Sequence, residues 1–446
     1  MRIIIAGAGD VGFHLAKLLA IEEHDIVLID LDQERLRYAS NHLDVGTLKG
    51  SSTSYQILKE AKVAKADLLI SVTESEATNI ATTVIAKNLG VKRTVARVSN
   101  PEFLLDKESL DLKSIGIDEI ISPETLAAKE IKRLLSHTSV TDSFEFEDGK
   151  LTLVGIVIDE ESELAGKTLT ETAYLNPDYN FTTVAILRDN ETIIPHGENK
   201  FCINDHAYFI AQPDGVNRVL ELAKKPHVAV KSLMILGGSR VGIHTARKLS
   251  KTYKIKLIEK DKDKCFELAD ILPDTLIING DGRDVDLLIE EGLKEMDAFL
   301  ALTGDSETNM ISSLVAKNNN VSKTIALVEN IDYIHLSQNI GVDTLINKKL
   351  IAANFIFRYI RQGEVLHITS LHGVDAEVLE FEVKSDSKIL RHALRNLNLP
   401  QTAVVGGVIR NGTGYTVGGN FNFKPKDRVV VLSRPECIHT IEDFFK

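Results

Sequence analysis

The residues best suited to chemistry stand at the start of the chain. Gly7-Ala8-Gly9-Asp10-Val11-Gly12 follows the apolar run Ile3–Ala6 and precedes a helical pattern through Leu15, Leu18 and Leu19. A G-x-G-x-x-G set between a strand and a helix is suited to holding a pyrophosphate. Gly7 permits the tight turn, Gly9 lets the backbone approach phosphate, and Gly12 lets the helix pack close to the strand. The helix N-terminus offers free N–H groups to the anion. Asp30 follows Gly12 by 18 residues at the end of the next apolar run, where a carboxylate accepts ribose hydroxyls and repels a 2′-phosphate. NAD or an adenine nucleotide fits this pattern better than NADP.

A second set is degraded but legible: Gly237-Gly238-Ser239-Arg240-Val241-Gly242, with Glu259 as the acid after Ile255–Ile258. Ser239 puts a Cβ where the backbone should come closest to phosphate. Arg240 stands where the first set has Asp10, and Arg97 becomes Leu327. Each site thus keeps one candidate phosphate-contacting arginine at a different place; the alternative for either is a solvated surface side chain. Asp10 should repel a third phosphate while Arg97 neutralises a pyrophosphate, favouring NAD(H) or ADP in the first site. A guanidinium at Arg240 reaching a terminal phosphate favours ATP or ADP in the second. Asp281, in Gly280-Asp281-Gly282-Arg283, either approaches an adenine or ribose edge or merely makes a turn.

A dehydrogenase would also need an acid or base set against the nicotinamide and a place for the second substrate. No such constellation is evident. His14 and His244 lie in the first turns of equivalent helices, His196 is a loop histidine and Cys265 is isolated, so all read as structural. No catalytic residue and no metal ligand is assigned.

The elements that must position these loops come in two copies. An offset of 230 links Gly7 with Gly237, Gly12 with Gly242, Thr73 with Thr303, Asn79 with Asn309 and Asn100 with Asn330. It shortens to 225 at Gly116/Gly341 and to 222 at Arg188/Arg410 and Asp205/Asp427, as small loop deletions would produce. Each copy begins with apolar runs, in the first Ile3–Ala6, Ile26–Asp30, Asp67–Val72 and Thr94–Val98, separated by amphipathic helical segments. That alternation predicts a parallel sheet covered by helices. From about Ser143 the rhythm becomes short β-rich pieces, Leu151–Ile158, Thr182–Arg188 and Ala207–Ala211, with one helix at Val216–Ala223.

Between the two parts, Ser122-Pro123-Glu124 predicts a capped helix running to about Leu135. Its counterpart, Leu350–Ile360, is apolar on nearly every face, so it is buried either against another subunit or the sister copy, or within its own domain. Lys224-Lys225-Pro226 reads as the boundary between copies.

Composition limits the partners. The 446 residues suit two to four domains, and 52 Lys+Arg against 64 Asp+Glu, a net of −12, disfavours a nucleic-acid footprint. A redox-sensing transcription regulator is disfavoured too, since no helix-turn-helix with a basic recognition helix is evident. Three scattered cysteines make neither a disulfide framework nor a zinc cluster. Charged residues interrupt every run short of the ~18 apolar residues that a spanning helix needs, and the glycines from Gly7 to Gly12 break a run that otherwise resembles a signal peptide.

Taken together, the GAGDVG loop, Asp30, Thr73–Asn79, Ala96-Arg97-Val98 and a following β-rich unit, all repeated once, resemble the TrkA family, the peripheral regulatory subunits of Trk potassium uptake systems. The resemblance spans essentially the whole chain. It implies an α/β fold: a tandem duplication of a Rossmann-like parallel-sheet domain (RCK N-terminal type), each followed by a small α+β domain (RCK C-terminal type). The expected domains are 1–138, 139–226, 227–361 and 362–446. The expected nucleotide-binding residues are Gly7, Gly9, Asp10, Val11, Gly12, Asp30, Thr73 and Arg97 in the first copy. In the second they are Gly237, Ser239, Arg240, Gly242, Glu259, Asp281 and Thr303.

The family binds NAD(H) or ATP/ADP and gates a membrane channel subunit from the cytosol. The implied partner is a Trk-type potassium transporter, at the inner face of the membrane, and the implied assembly is a homo-oligomer, a dimer or a tetramer ring. An NAD-dependent oxidoreductase is the alternative. The chain departs from the family pattern at Ser51, where a Gly-Asp is usual, and at Ser239.

Overall fold

A computed structural model of the chain describes residues 1–21, 24–100, 103, 111–136, 140, 142–189, 191–225, 230–330, 333, 341–361, 366–371 and 374–446. It divides into two compact units that cut across the sequence copies.

The first unit comprises residues 1–129, 239–245 and 346–360. Its sheet has six strands: β1 Arg2–Ala6, β2 Asp25–Asp30, β3 Gly46–Lys49, β4 Leu68–Ser71, β5 Arg93–Arg97 and β6 Glu119–Ile121. Their order is β3-β2-β1-β4-β5-β6, and each neighbouring pair is parallel. Ile3, Ile4 and Ile5 are wholly buried, as expected of a central strand covered on both faces. The helices start where polar side chains cap them: Asp32 accepts from the backbone of Glu34 and Arg35, and Ser75 from that of Thr78. Strands β3 and β6, short edge pieces, were not among the expected runs.

The helix read as apolar on all sides spans Lys348–Arg361. Ala352, Ala353, Ile356, Phe357 and Ile360 enter the core built by Ile3, Ile5, Leu15, Leu19, Leu28 and Ile70. The sister copy therefore covers it, one of the three burial sites the sequence left open. We refer to it as the returning helix. Tyr359, at its far end, has the Arg93 guanidinium 5.9 Å from its ring centre, a contact worth roughly 0.5–1 kcal/mol.

The second unit comprises residues 130–238, 246–345 and 361–446. It contains another six-stranded sheet, in which Ser232–Leu236 lies between Lys254–Glu259 and Ala298–Ala301, parallel to both. It also holds two five-stranded antiparallel sheets. One is centred on Leu151–Val157, Phe181–Arg188 and His206–Ala211, the other on Glu377–Glu382, Ala403–Arg410 and Arg428–Ser433.

The two small sheets share one core, where Leu151, Val184, Tyr208 and Ile210 meet Val378, Ile409, Val430 and Leu432. Their terminal helices are Pro213–Leu222 and Ile438–Phe445. Glu380 is completely buried, with the Arg428 guanidinium 3.7 Å away; the same guanidinium is 4.0 Å from Glu147 of the other small unit. Among the described residues no helix is long and apolar enough to cross a membrane.

Candidate functional site

The first glycine loop sits where the strand order reverses, since β1 pairs with β2 on one side and β4 on the other. In such sheets the crevice beyond the carboxyl ends of the strands is where ligands bind. Gly7 has φ 108°, which a side chain would strain, and a Cβ there would stand 3.0 Å from the Thr73 nitrogen. At Gly12 a Cβ would lie 1.9 Å from the Gly7 carbonyl oxygen, so helix Asp10–Ile21 leaves its strand with no room for a side chain. A Cβ on Gly9 would meet only the Arg35 guanidinium, at 3.5 Å. The backbone there faces open space. Two glycines serve the fold and the third keeps an approach clear, which is the cradle a pyrophosphate requires.

Val11 is buried and anchors the helix; Asp10 is exposed at its first residue. Asp30 ends β2, and its carboxylate accepts from the Ala8 N–H at 2.6 Å and the Asp32 N–H at 2.9 Å. It thus positions the glycine loop itself. A carboxylate has about four acceptor sites, so ribose hydroxyls can share it.

Across the crevice, Thr73 is held by Asn79, whose side-chain oxygen accepts from the Thr73 N–H at 2.9 Å and its hydroxyl at 2.7 Å. The Asn79 amide donates to the Arg97 carbonyl at 2.9 Å, tying the ends of β4 and β5 together. Arg97 is half-buried at the end of β5. Asn79 was seen only as a repeated residue. Its constant spacing of six from Thr73, kept at Thr303 and Asn309, was the available signal.

In the second copy Gly237 has φ 98° and faces Thr303, which Asn309 holds in the same way. Glu259 is buried and accepts from the Gly238 N–H at 2.9 Å and the Asp261 N–H at 3.1 Å, with Lys264 at 3.0 Å. Burial works to raise its pKa, but the bonds from Asp261, Lys264 and Gly238 outweigh it and hold the carboxyl below its usual range. The Ser239 hydroxyl accepts from the Gly242 N–H at 3.2 Å, occupying a donor that a phosphate would otherwise meet. Arg240 is exposed at the first residue of helix Arg240–Leu249. Asp281 is paired with Arg283 at 2.6 Å, whose side chain lowers the carboxyl to about 2. In this structure its carboxylate is spent on its own turn.

Lys349, in the first turn of the returning helix, pairs with Asp10 at 2.7 Å. Nothing in the sequence pointed to it, because it opens a segment legible only as apolar. The first glycine loop therefore carries a matched pair of charges where only an acid was legible in the sequence.

In the small units the repeated arginines and aspartates form two-pronged ion pairs. Arg188 meets Asp205 at 2.7 and 2.8 Å, and Arg410 meets Asp427 at 2.8 and 2.7 Å. The aspartates are almost fully buried, so these pairs hold the closing turns of the sheets.

Two Rossmann-like sheets with glycine loops at their switch points, accompanied by two small antiparallel units, define a duplicated RCK-type architecture. The family model for the TrkA-N domain matches residues 3–123 and 233–348, and that for the TrkA-C domain matches residues 153–224 and 378–446. The chain belongs to the TrkA family. It is 31% identical over its whole length, and that of the relative, to the Trk system potassium uptake protein TrkA homolog 1 of Methanosarcina mazei. It is 30% identical to the Trk system potassium uptake protein TrkA of Vibrio alginolyticus, covering all of this chain and 99% of that one. Among solved structures, the GsuK RCK domain aligns with a TM-score of 0.60 at 14% identity, covering 100% of this chain and 94% of the other. The GsuK channel bound to NAD gives the same score and covers 78% of that chain. These relatives are potassium uptake proteins and a channel; none supports the dehydrogenase alternative.

Proposed function

We propose that this chain, a regulatory subunit of potassium transport, is switched by an adenine nucleotide held at its first glycine loop. The observation that carries the reading is that loop's geometry: a left-handed Gly7 against Thr73, a Gly12 with no room for a side chain, an open Gly9 and an acid at the end of β2. The nucleotide acts as an effector, not a hydride carrier, and the chain is not an enzyme. When bound, it supplies a pyrophosphate to the loop and ribose hydroxyls to Asp30. Differential affinity of about 1–3 kcal/mol between two arrangements shifts a linked equilibrium by roughly 5–150-fold, enough to pull on a membrane partner of Trk type from its cytosolic side.

NAD(H) or ADP suits the first site. ATP or ADP, weakly held, suits the second, where Ser239 and the buried Glu259 leave less to offer. The domains 1–138, 139–226, 227–361 and 362–446 are the modules of this reading, the third lending its last helix, Lys348–Arg361, to the core of the first, and association into a dimer or tetramer ring follows from the paired architecture.

Calorimetric titration with NADH and ATP tests the reading. Arg240→Ala should reduce ATP binding and spare NADH, whereas Gly12→Val should abolish NADH binding. The partner is tested by co-purification with a Trk-type membrane subunit and by potassium-dependent growth of a deletion strain; growth independent of the chain defeats the reading.

A further inference from the structure

Lys349 belongs to the second copy by sequence but lies on the first copy's phosphate loop, 2.7 Å from the Asp10 carboxylate. Its place is fixed from both sides. Asn347 accepts from the backbone of Lys349 and Leu350 at 2.9 and 3.0 Å, capping the helix start. One turn and more further on, Ile356, Phe357 and Ile360 are anchored in the core beneath the loop. The ammonium is thus delivered to the loop by a rigid element rather than by a wandering surface side chain, and Lys349 is only 26% exposed.

The repeat adds a second observation. The offset of 230 sets Asp10 against Arg240, and the offset of 225 sets Lys349 against Glu124. Both positions carry the opposite charge in the other copy; the ion pair joins Asp10 to Lys349, whereas Glu124 is buried with a carboxylate oxygen that has no hydrogen-bond partner among the described residues.

We propose that Lys349 is the charge-sensing residue of the first site, and that it recognises the pyrophosphate of a nucleoside diphosphate or dinucleotide. This rests on reading the first loop as a nucleotide site. Asp10 holds the ammonium beside the loop, and a bound phosphate oxygen competes with Asp10 for it. Because the loop belongs to one copy and the lysine to the other, the exchange makes ligand charge felt directly by the returning helix. Asp10 then has a role beyond repelling a third phosphate: it is the competitor that sets how strongly a phosphate must pull.

The test uses the full chain with ADP, NADH and adenosine as probes. Lys349→Gln should weaken ADP and NADH binding roughly tenfold, the value of one lost charge-assisted hydrogen bond, and flatten the salt dependence of the dissociation constant. Adenosine, which has no phosphate, should bind as before. Lys349→Arg should restore most of the affinity, and Asp10→Asn, by removing the competitor, should tighten ADP. An unchanged affinity for ADP in Lys349→Gln, or an equal loss for ADP and adenosine, overturns the proposal while leaving the nucleotide site standing. Failure of the unmutated chain to bind any of the phosphorylated probes overturns both.

Discussion

At the scale of single residues, Asp30 acts through more than the ribose. By accepting the Ala8 N–H it also shapes the turn that must receive phosphate, so its loss acts twice. Asp30→Ala should weaken NADH binding by about 1–3 kcal/mol, the range for a hydrogen bond to a charged group, with Asp30→Asn less affected because it keeps an acceptor; titration of both variants checks this. Glu380 offers a prediction of a different kind. Burial raises its pKa from 4.5 to about 7, with Arg428 opposing and Glu147 reinforcing the shift. The folded state then holds one more proton than the unfolded chain between pH of about 4.5 and 7. Stability from this group is full below that window and falls as pH rises through it. The loss across the window is about 3 kcal/mol, and melting at pH 5 and pH 8 should show most of it. Glu380→Gln should remove most of the difference.

At the scale of elements, legibility followed physical distinctness. The strand, glycine loop and helix that start the chain were readable because glycines in a fixed pattern interrupt two hydrophobic periods at once. Strand β3, with the residues Gly46–Lys49 only partly buried or exposed, carries little such contrast, and β6 is three residues long. The ion pairs of the small units were visible as repeated Arg and Asp but not as partners, because the separation of 17 positions from Arg188 to Asp205 closes only in three dimensions. The returning helix was legible as buried and illegible as to where. An all-apolar surface demands cover without specifying which surface supplies it. Phe357 tests that assignment, since it is 5% exposed in the core beneath the first loop. Phe357→Ala should cost about 3–5 kcal/mol, seen as a lower urea midpoint. NADH binding should weaken along with it.

At the scale of the whole molecule, the repeat is not a string of two finished copies. The first parallel sheet completes its core with a helix encoded in the second copy, and the two small sheets bury a common face. A chain ending at residue 226 should therefore expose the apolar surface that Ala352, Ile356 and Phe357 cover, and light scattering should show it aggregating. A peptide spanning residues 346–361 should suppress that aggregation. The same arrangement bears on biosynthesis. About 240 residues separate β6 from the end of the returning helix, and at roughly 5–20 residues per second a ribosome needs on the order of 10–50 s to make them. Throughout that interval the nascent amino-terminal fold lacks part of its own interior. The domain translated first is thus among the last to close, and chaperone engagement with the growing chain should peak in the interval before residue 361 emerges.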